Sequence, residues 1–118
     1  MVRKIEKKFG EHYLIELIGC APEKIKFVSA VKKNFLVAAR KSRATILKYY
    51  FHQYRPHGVT GIILVSASHF SIHTWPEHNF AACDFLTCKN IPIKKIVEYL
   101  QKSFQAKRTK VKVFLRGF

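Results

Sequence analysis

Residues 65–88 read VSASHFSIHTWPEHNFAACDFLTC. From His69 to Trp75 the side chains alternate. Phe70, Ile72 and Thr74 fall on one side and His69, Ser71, His73 and Trp75 on the other, which is the period of a β-strand with a polar face. Pro76-Glu77-His78-Asn79 turns the chain, and Phe80 to Cys88 reads as the next strand. The stretch holds the only Trp, two of the three Cys, three of the six His and two of the seven acidic residues. A segment that only filled a core would not carry Ser68, His69, His73 and Cys88 together. One that only covered a surface would not carry Ile72, Trp75, Phe80, Phe85 and Leu86.

Outward from this hairpin the chain continues in the same idiom. Val59 to Val65 (VTGIILV) is apolar throughout and reads as a central strand, and Ala44 to Tyr54 is rich in β-formers. Arg55-Pro56-His57-Gly58 separates the two. Farther upstream, His12 to Ile18 alternates Tyr13, Ile15 and Leu17 against His12, Leu14, Glu16 and Ile18. Gly19 to Pro22 is a turn that opens a helix over about 22–41, with Val28, Val31, Phe35 and Ala38 on its apolar face. Downstream, Asn90 to Pro92 opens a second helix with Ile93, Ile96, Val97, Leu100 and Phe104 on one face. Lys110 to Leu115 closes as a strand. The order β-α-β-β-β-β-α-β, with short turns between strands, predicts an α+β class. The expected architecture is a two-layer sandwich, a mostly antiparallel sheet with two helices on one face. The other face then needs a cover, and a second copy of the chain is the simplest one.

The 118 residues fit one domain, residues 1–118, and 48% apolar residues supply a core. Three cysteines, Cys20, Cys83 and Cys88, make no paired framework and no zinc spacing, so free thiols and no metal are expected. No apolar run nears membrane-spanning length, and the basic start of the chain lacks a signal-type core, so a cytoplasmic protein is expected. The net charge of +15 raises nucleic acid as a partner. However, the lysines and arginines are spread along the chain at helical spacing opposite apolar positions, as on solvated faces, and no recognition motif accompanies them.

Two patterns stand out: S-H-x-S-I-H-T-W-P-E at 68–77 and A-A-x-D-x-x-T-C at 81–88. Together they resemble the signature of the prokaryotic S-adenosylmethionine decarboxylases, small pyruvoyl enzymes that cut their own chain. The upstream F-H-Q-Y-R-P-H-G-V-T-G at 51–61 is similar to the family's aromatic-x-P-x-G-V-S stretch, and the likeness runs from Gly10 to about Gly117. Thr60 replaces the family's usual serine and keeps a hydroxyl that supports processing. Ala67 replaces the usual glutamate before the cleaved serine. The acyl shift uses that residue's backbone carbonyl, not its side chain, so cleavage remains possible.

The resemblance implies that the Ser68 hydroxyl attacks the Ala67 carbonyl and turns the peptide bond into an ester. Loss of the Cα proton then expels the upstream carboxylate, and hydrolysis leaves a pyruvoyl group on a chain 68–118, freed from a chain 1–67. It assigns His73 as the processing proton acceptor and Cys88 as the proton donor of catalysis. The cofactor's ketone would form a Schiff base with the substrate amine and act as electron sink. Tyr54 and Trp75 would stack on the adenine and Glu77 would bind the ribose hydroxyls. The implied assembly is a homodimer of processed protomers, and the implied role is to supply the aminopropyl donor for spermidine. Cys83 reads as core, and Cys20 carries no chemistry. Glu16, Glu77 and Asp84 are expected to keep the site acidic toward a cationic substrate. Two alternatives stay open: a pyruvoyl decarboxylase of arginine or ornithine, and a non-processing homologue that only binds ligand or partner. The base clamp favours the adenosyl substrate.

Overall fold

A computed structural model describes residues 6–118. The start of the basic amino-terminal segment, Arg3 and Lys4 included, lies outside them. The elements run β1 (Lys8–Ile18), α1 (Pro22–Ile25), α2 (Val28–Lys41), β2 (Ile46–Gln53), β3 (Val59–Val65), β4 (Ser68–Trp75), a 3-10 turn (Pro76–His78), β5 (Phe80–Thr87), α3 (Ile93–Ser103) and β6 (Arg108–Gly117). The six strands form one sheet in the order β2-β3-β4-β5-β1-β6. Every neighbouring pair is antiparallel. The sheet is therefore fully antiparallel, and the expected α+β sandwich is present.

Strand alternation decides the layers. Ile15 and Leu17 of β1, Ile63 and Val65 of β3, Phe70 and Ile72 of β4, and Ala81, Cys83 and Phe85 of β5 are all buried toward the helices. Val31, Phe35 and Ala38 of α2 and Ile96, Val97 and Leu100 of α3 meet them, so the apolar faces predicted from spacing are the ones that pack. Phe35 sits at the centre, edge-on to Phe85 at 5.6 Å and to Phe51 at 6.4 Å. The ring of Phe51 lies over Gly61 so closely that any β-carbon there would overlap it. Phe35→Ala should leave a cavity at this junction and lower stability by about 3–5 kcal/mol, read from the midpoint shift in urea unfolding.

The helix predicted over 22–41 is two helices. The break at Lys26–Phe27 is bridged by one side chain from a distant strand, Gln53. Its Oε1 accepts from the Val28 N–H at 2.7 Å, and its Nε2 donates to the Lys26 carbonyl at 3.0 Å. Lys26 also accepts from the Gly58 N–H. These bonds satisfy backbone groups that a continuous helix would have paired internally, and they tie the α1–α2 corner to the β2–β3 loop. Among the described residues no helix is long and apolar enough to cross a membrane.

Among the described residues, no element covers the sheet's second face. Tyr50, Ile62, Leu64 and Phe114 stand exposed on it beside the polar residues of β4 and β5. An apolar stretch of this kind on a sheet is the mark of an interaction surface.

Candidate active site

The β3–β4 connection is a two-residue hairpin. Val65 pairs with Ser68, leaving Ser66 and Ala67 as the turn. Ser68 enters β4 with φ at +145°, a region that residues with a β-carbon rarely occupy and that costs on the order of 1–3 kcal/mol. The Ala67 carbonyl accepts a hydrogen bond from the Cys88 backbone N–H at 3.2 Å. Because β4 and β5 are in register with Ser68 opposite Thr87, Cys88 follows at the same end of the sheet. Ala67, Ser68 and Cys88 share a pocket of about 190 Å³ with Phe9, Gly10 and Arg116. Such a geometry places a hydroxyl, a polarised carbonyl and a thiol together at one bond.

The three thiols differ in surroundings. Burial pushes Cys20 up to about 11, and the same cause, with Cys20, Asp84 and Glu16 nearby, holds Cys83 well above the ordinary thiol value. Both are core residues. Cys88 alone is exposed.

The other predicted site residues lie elsewhere. Tyr54, Thr60, His73, Trp75 and Glu77 line a larger cleft of about 360 Å³ together with His57 and Gly58. The Tyr54 hydroxyl donates to Thr60 Oγ1 at 3.1 Å, and Thr60 Oγ1 lies 3.0 Å from His73 Nδ1. Thr60 pairs with His73 across β3 and β4, so register sets this contact. Trp75 stacks on Phe80 at 5.6 Å. At the rim of the cleft, His57 Nδ1 is buried without a hydrogen-bond partner among the described residues.

The chain thus separates two groups that the sequence motif lists side by side. Ser68 opens β4 and His73 lies five residues on, which in an extended strand is about 17 Å. The structure brings Ser68 together with Cys88, and His73 with Thr60, Tyr54, Trp75 and Glu77. It does not bring the first group to the second within one protomer. The three acids expected to make one acidic site are likewise apart. Glu77 lines the larger cleft, Glu16 sits opposite Lys110 on β6, and Asp84 is engaged by its neighbours.

Those neighbours form a cluster that sequence reasoning missed. On the open sheet face, Asp84 Oδ2 lies 2.5 Å from His12 Nε2 and 3.9 Å from His69 Nε2, and Asp84 Oδ1 accepts from Ser71. Arg116 Nη1 lies 3.2 Å from His12 Nδ1. His12 and Asp84 are 72 positions apart, and only the β1–β5 register joins them. The one available signal was the even spacing of His69 and Ser71 on the polar side of β4.

A six-stranded antiparallel sheet backed by helices, with a strained serine on a hairpin and a thiol beside it, defines a small α+β protein with a candidate reactive bond at Ala67–Ser68. A model of the S-adenosylmethionine decarboxylase family matches residues 11–117, and the chain belongs to that family. A protein from Sulfurihydrogenibium sp. named S-adenosylmethionine decarboxylase proenzyme is 43% identical over 114 residues, covering 96% of this chain and 86% of its own. Those of the same name from Thermodesulfovibrio yellowstonii and Pyrococcus horikoshii are 39% and 38% identical over 109 residues. They cover 92% of this chain and 81% and 78% of theirs. The crystal structure of the adenosylmethionine decarboxylase from Aquifex aeolicus VF5 superposes with a TM-score of 0.85 at 34% identity, covering 95% of this chain and 93% of that one.

Proposed function

We propose that this chain decarboxylates S-adenosylmethionine in the cytoplasm, using a pyruvoyl group made from its own Ser68, and so supplies the aminopropyl donor for spermidine synthesis. The observation that carries the reading is the Ala67–Ser68 bond. It lies on a tight hairpin with Ser68 at φ +145°, and the carbonyl to be attacked is already polarised by the Cys88 N–H. That N–H can stabilise the oxyanion formed as the carbonyl becomes tetrahedral. The residues around Ser68 fit a group made in place: the pocket beside it is open and the exposed Cys88 thiol borders it.

The pyruvoyl ketone supplies an electron sink for the pair left behind as carbon dioxide departs. The chain's own residues do the rest. Cys88 delivers a proton to the substrate α-carbon. Tyr54 and Trp75 present aromatic faces to the adenine across the larger cleft, with Glu77 placed for the ribose hydroxyls. With the His73 ring proton on Nδ1 and donated to Thr60, Nε2 is left as the basic nitrogen that removes the Ser68 Cα proton during processing.

The separation of Ser68 from His73 calls for a second copy. A homodimer packed through the open sheet face, with its two-fold axis in the interface and perpendicular to β4, lays the Ser68–Cys88 end of one protomer over the partner's His73. Exposed Tyr50, Ile62, Leu64 and Phe114 supply the apolar contact. Each dimer then has two composite sites.

Intact-mass measurement of purified protein tests the cleavage. Two chains are expected, 1–67 ending at Ala67 and 68–118 blocked at its start, and Ser68→Ala should give one uncut chain with no decarboxylation. A cut at any other bond, or a wild-type chain that stays whole on prolonged incubation, would sink the reading.

A further inference from the structure

We propose that His69 is the base that activates Ser68 for self-cleavage, held in its working orientation by an Asp84–His12–Arg116 relay across three strands. The proposal rests on the reading that Ser68 is the cleaved residue, and it adds a second histidine with a task distinct from that of His73.

The geometry runs outward from the hydroxyl. Ser68 Oγ lies 3.5 Å from His69 Nδ1 in the same protomer. That is long for a hydrogen bond and within the range that catalytic contacts show before the reaction draws them in. The opposite ring nitrogen of His69, Nε2, faces Asp84 Oδ2 at 3.9 Å. A serine, an imidazole and a carboxylate in that order is the arrangement by which a hydroxyl loses its proton to a ring whose other N–H is held by a carboxylate.

The tautomers follow from Arg116. A guanidinium has donors only, so at 3.2 Å it donates to His12 Nδ1, which must carry a lone pair. The His12 hydrogen is then on Nε2 and is donated to Asp84 Oδ2. Ser71 donates to Asp84 Oδ1. Asp84 thus receives a hydrogen bond on each oxygen and acts as an acceptor at both. An acceptor beside His69 Nε2 favours the tautomer with the hydrogen on that nitrogen, which leaves the Nδ1 lone pair toward Ser68. By contrast, His73 lies on the far half of β4 and within its own protomer cannot reach this oxygen.

The step balances without any added reagent. Ser68 Oγ forms a bond to the Ala67 carbonyl carbon as its proton passes to His69 Nδ1. The carbonyl π pair moves onto oxygen, where the Cys88 N–H meets it. That pair returns, the bond from the Ala67 carbon to the Ser68 nitrogen breaks, and the nitrogen takes the proton back from His69. The result is an Ala67 ester on Ser68 Oγ, a free Ser68 amine and a neutral His69. Removal of the Cα proton comes after this and falls to His73.

The order of the two steps provides the test. Hydroxylamine splits esters and leaves peptide bonds intact, so it reports whether the acyl shift has occurred. In the full-length protein, His69→Ala should be cut about 10²–10⁴-fold more slowly than wild type. Hydroxylamine should release nothing from its uncut chains, and imidazole in the buffer should restore part of the rate. His73→Ala should also stay uncut, but hydroxylamine should split it at Ala67–Ser68. Asp84→Asn should be slow as well, and His69→Ala with Asp84→Asn should be no slower than His69→Ala alone, because Asp84 is a positioning residue that acts through the ring. The His69 side chain is 38% exposed within the protomer, so its truncation opens no cavity in the protomer's own core. Should His69→Ala nonetheless misfold by its thermal transition, His69→Gln gives the same readouts. The base assignment is overturned alone if wild type is cut and the His69 variant is cut as fast, or if hydroxylamine splits the uncut His69 variant. It is overturned together with the reading beneath it if wild type itself stays whole.

Discussion

Mixed dimers of Ser68→Ala and His73→Ala subunits should cut one of their two sites, where neither parent alone cuts any. In a mixed dimer with composite sites, one site combines both lesions and is dead. The other joins the intact Ser68 of one chain to the partner's intact His73. The His73→Ala chain should therefore appear as fragments 1–67 and 68–118, while the Ser68→Ala chain stays whole. The expected change is from no cleavage to cleavage of one chain type, which denaturing gels and intact masses resolve. The physical ground is the distance of about 17 Å that five residues of extended strand impose between Ser68 and His73. If co-expressed or refolded mixtures that form dimers stay uncut, each site is made within one protomer and the packing proposed for the open face is wrong.

Cys88→Ala should separate making the cofactor from using it. The Cys88 backbone N–H that meets the Ala67 carbonyl is retained in the variant, so the chain should still be cut. The thiol is lost, and with it the proton that we propose Cys88 delivers to the substrate α-carbon. A positioned general acid contributes about 10²–10⁴-fold, so carbon dioxide release from S-adenosylmethionine should fall by that factor in fully processed protein. Proton delivery to the wrong carbon would transfer the amine to the enzyme, so activity should also decay with turnover. Cys20 and Cys83 cannot substitute: both are buried, and burial raises their pKa values. A processed Cys88→Ala protein with the unmutated rate would mean that another group supplies the proton.

The strands were legible because alternation is a local property. Phe70, Ile72 and Thr74 are buried and His73 and Trp75 exposed, as the period of two requires. The helix faces were legible for the same reason, through Val31, Phe35, Ile96 and Leu100. The break at Lys26–Phe27 was not, because the group that satisfies it, Gln53, arrives from a strand more than 25 residues away. Nothing in the run 22–41 announces it.

The candidate site divides along the same line. Ser68, Cys88, Thr60, Tyr54, Trp75 and Glu77 were legible as a motif, since each is named by its neighbours in the chain. The His12–Asp84–His69 cluster was not, because its members come from β1, β5 and β4 and meet only through cross-strand pairing.

The sequence by itself determined the alternating strands, the two apolar helix faces, the family and the residue types of the candidate site. These depend on side-chain periods and on fixed spacings along one segment. Only the tertiary structure decided where those residues stand. It put Ser68 and Cys88 at one end of the sheet and His73 with the aromatic cleft at the other, and it set His69 against a carboxylate. The reason is the extended chain itself. A strand places residues five apart in sequence at opposite ends of a site, while antiparallel register brings residues 72 apart into hydrogen-bonding distance.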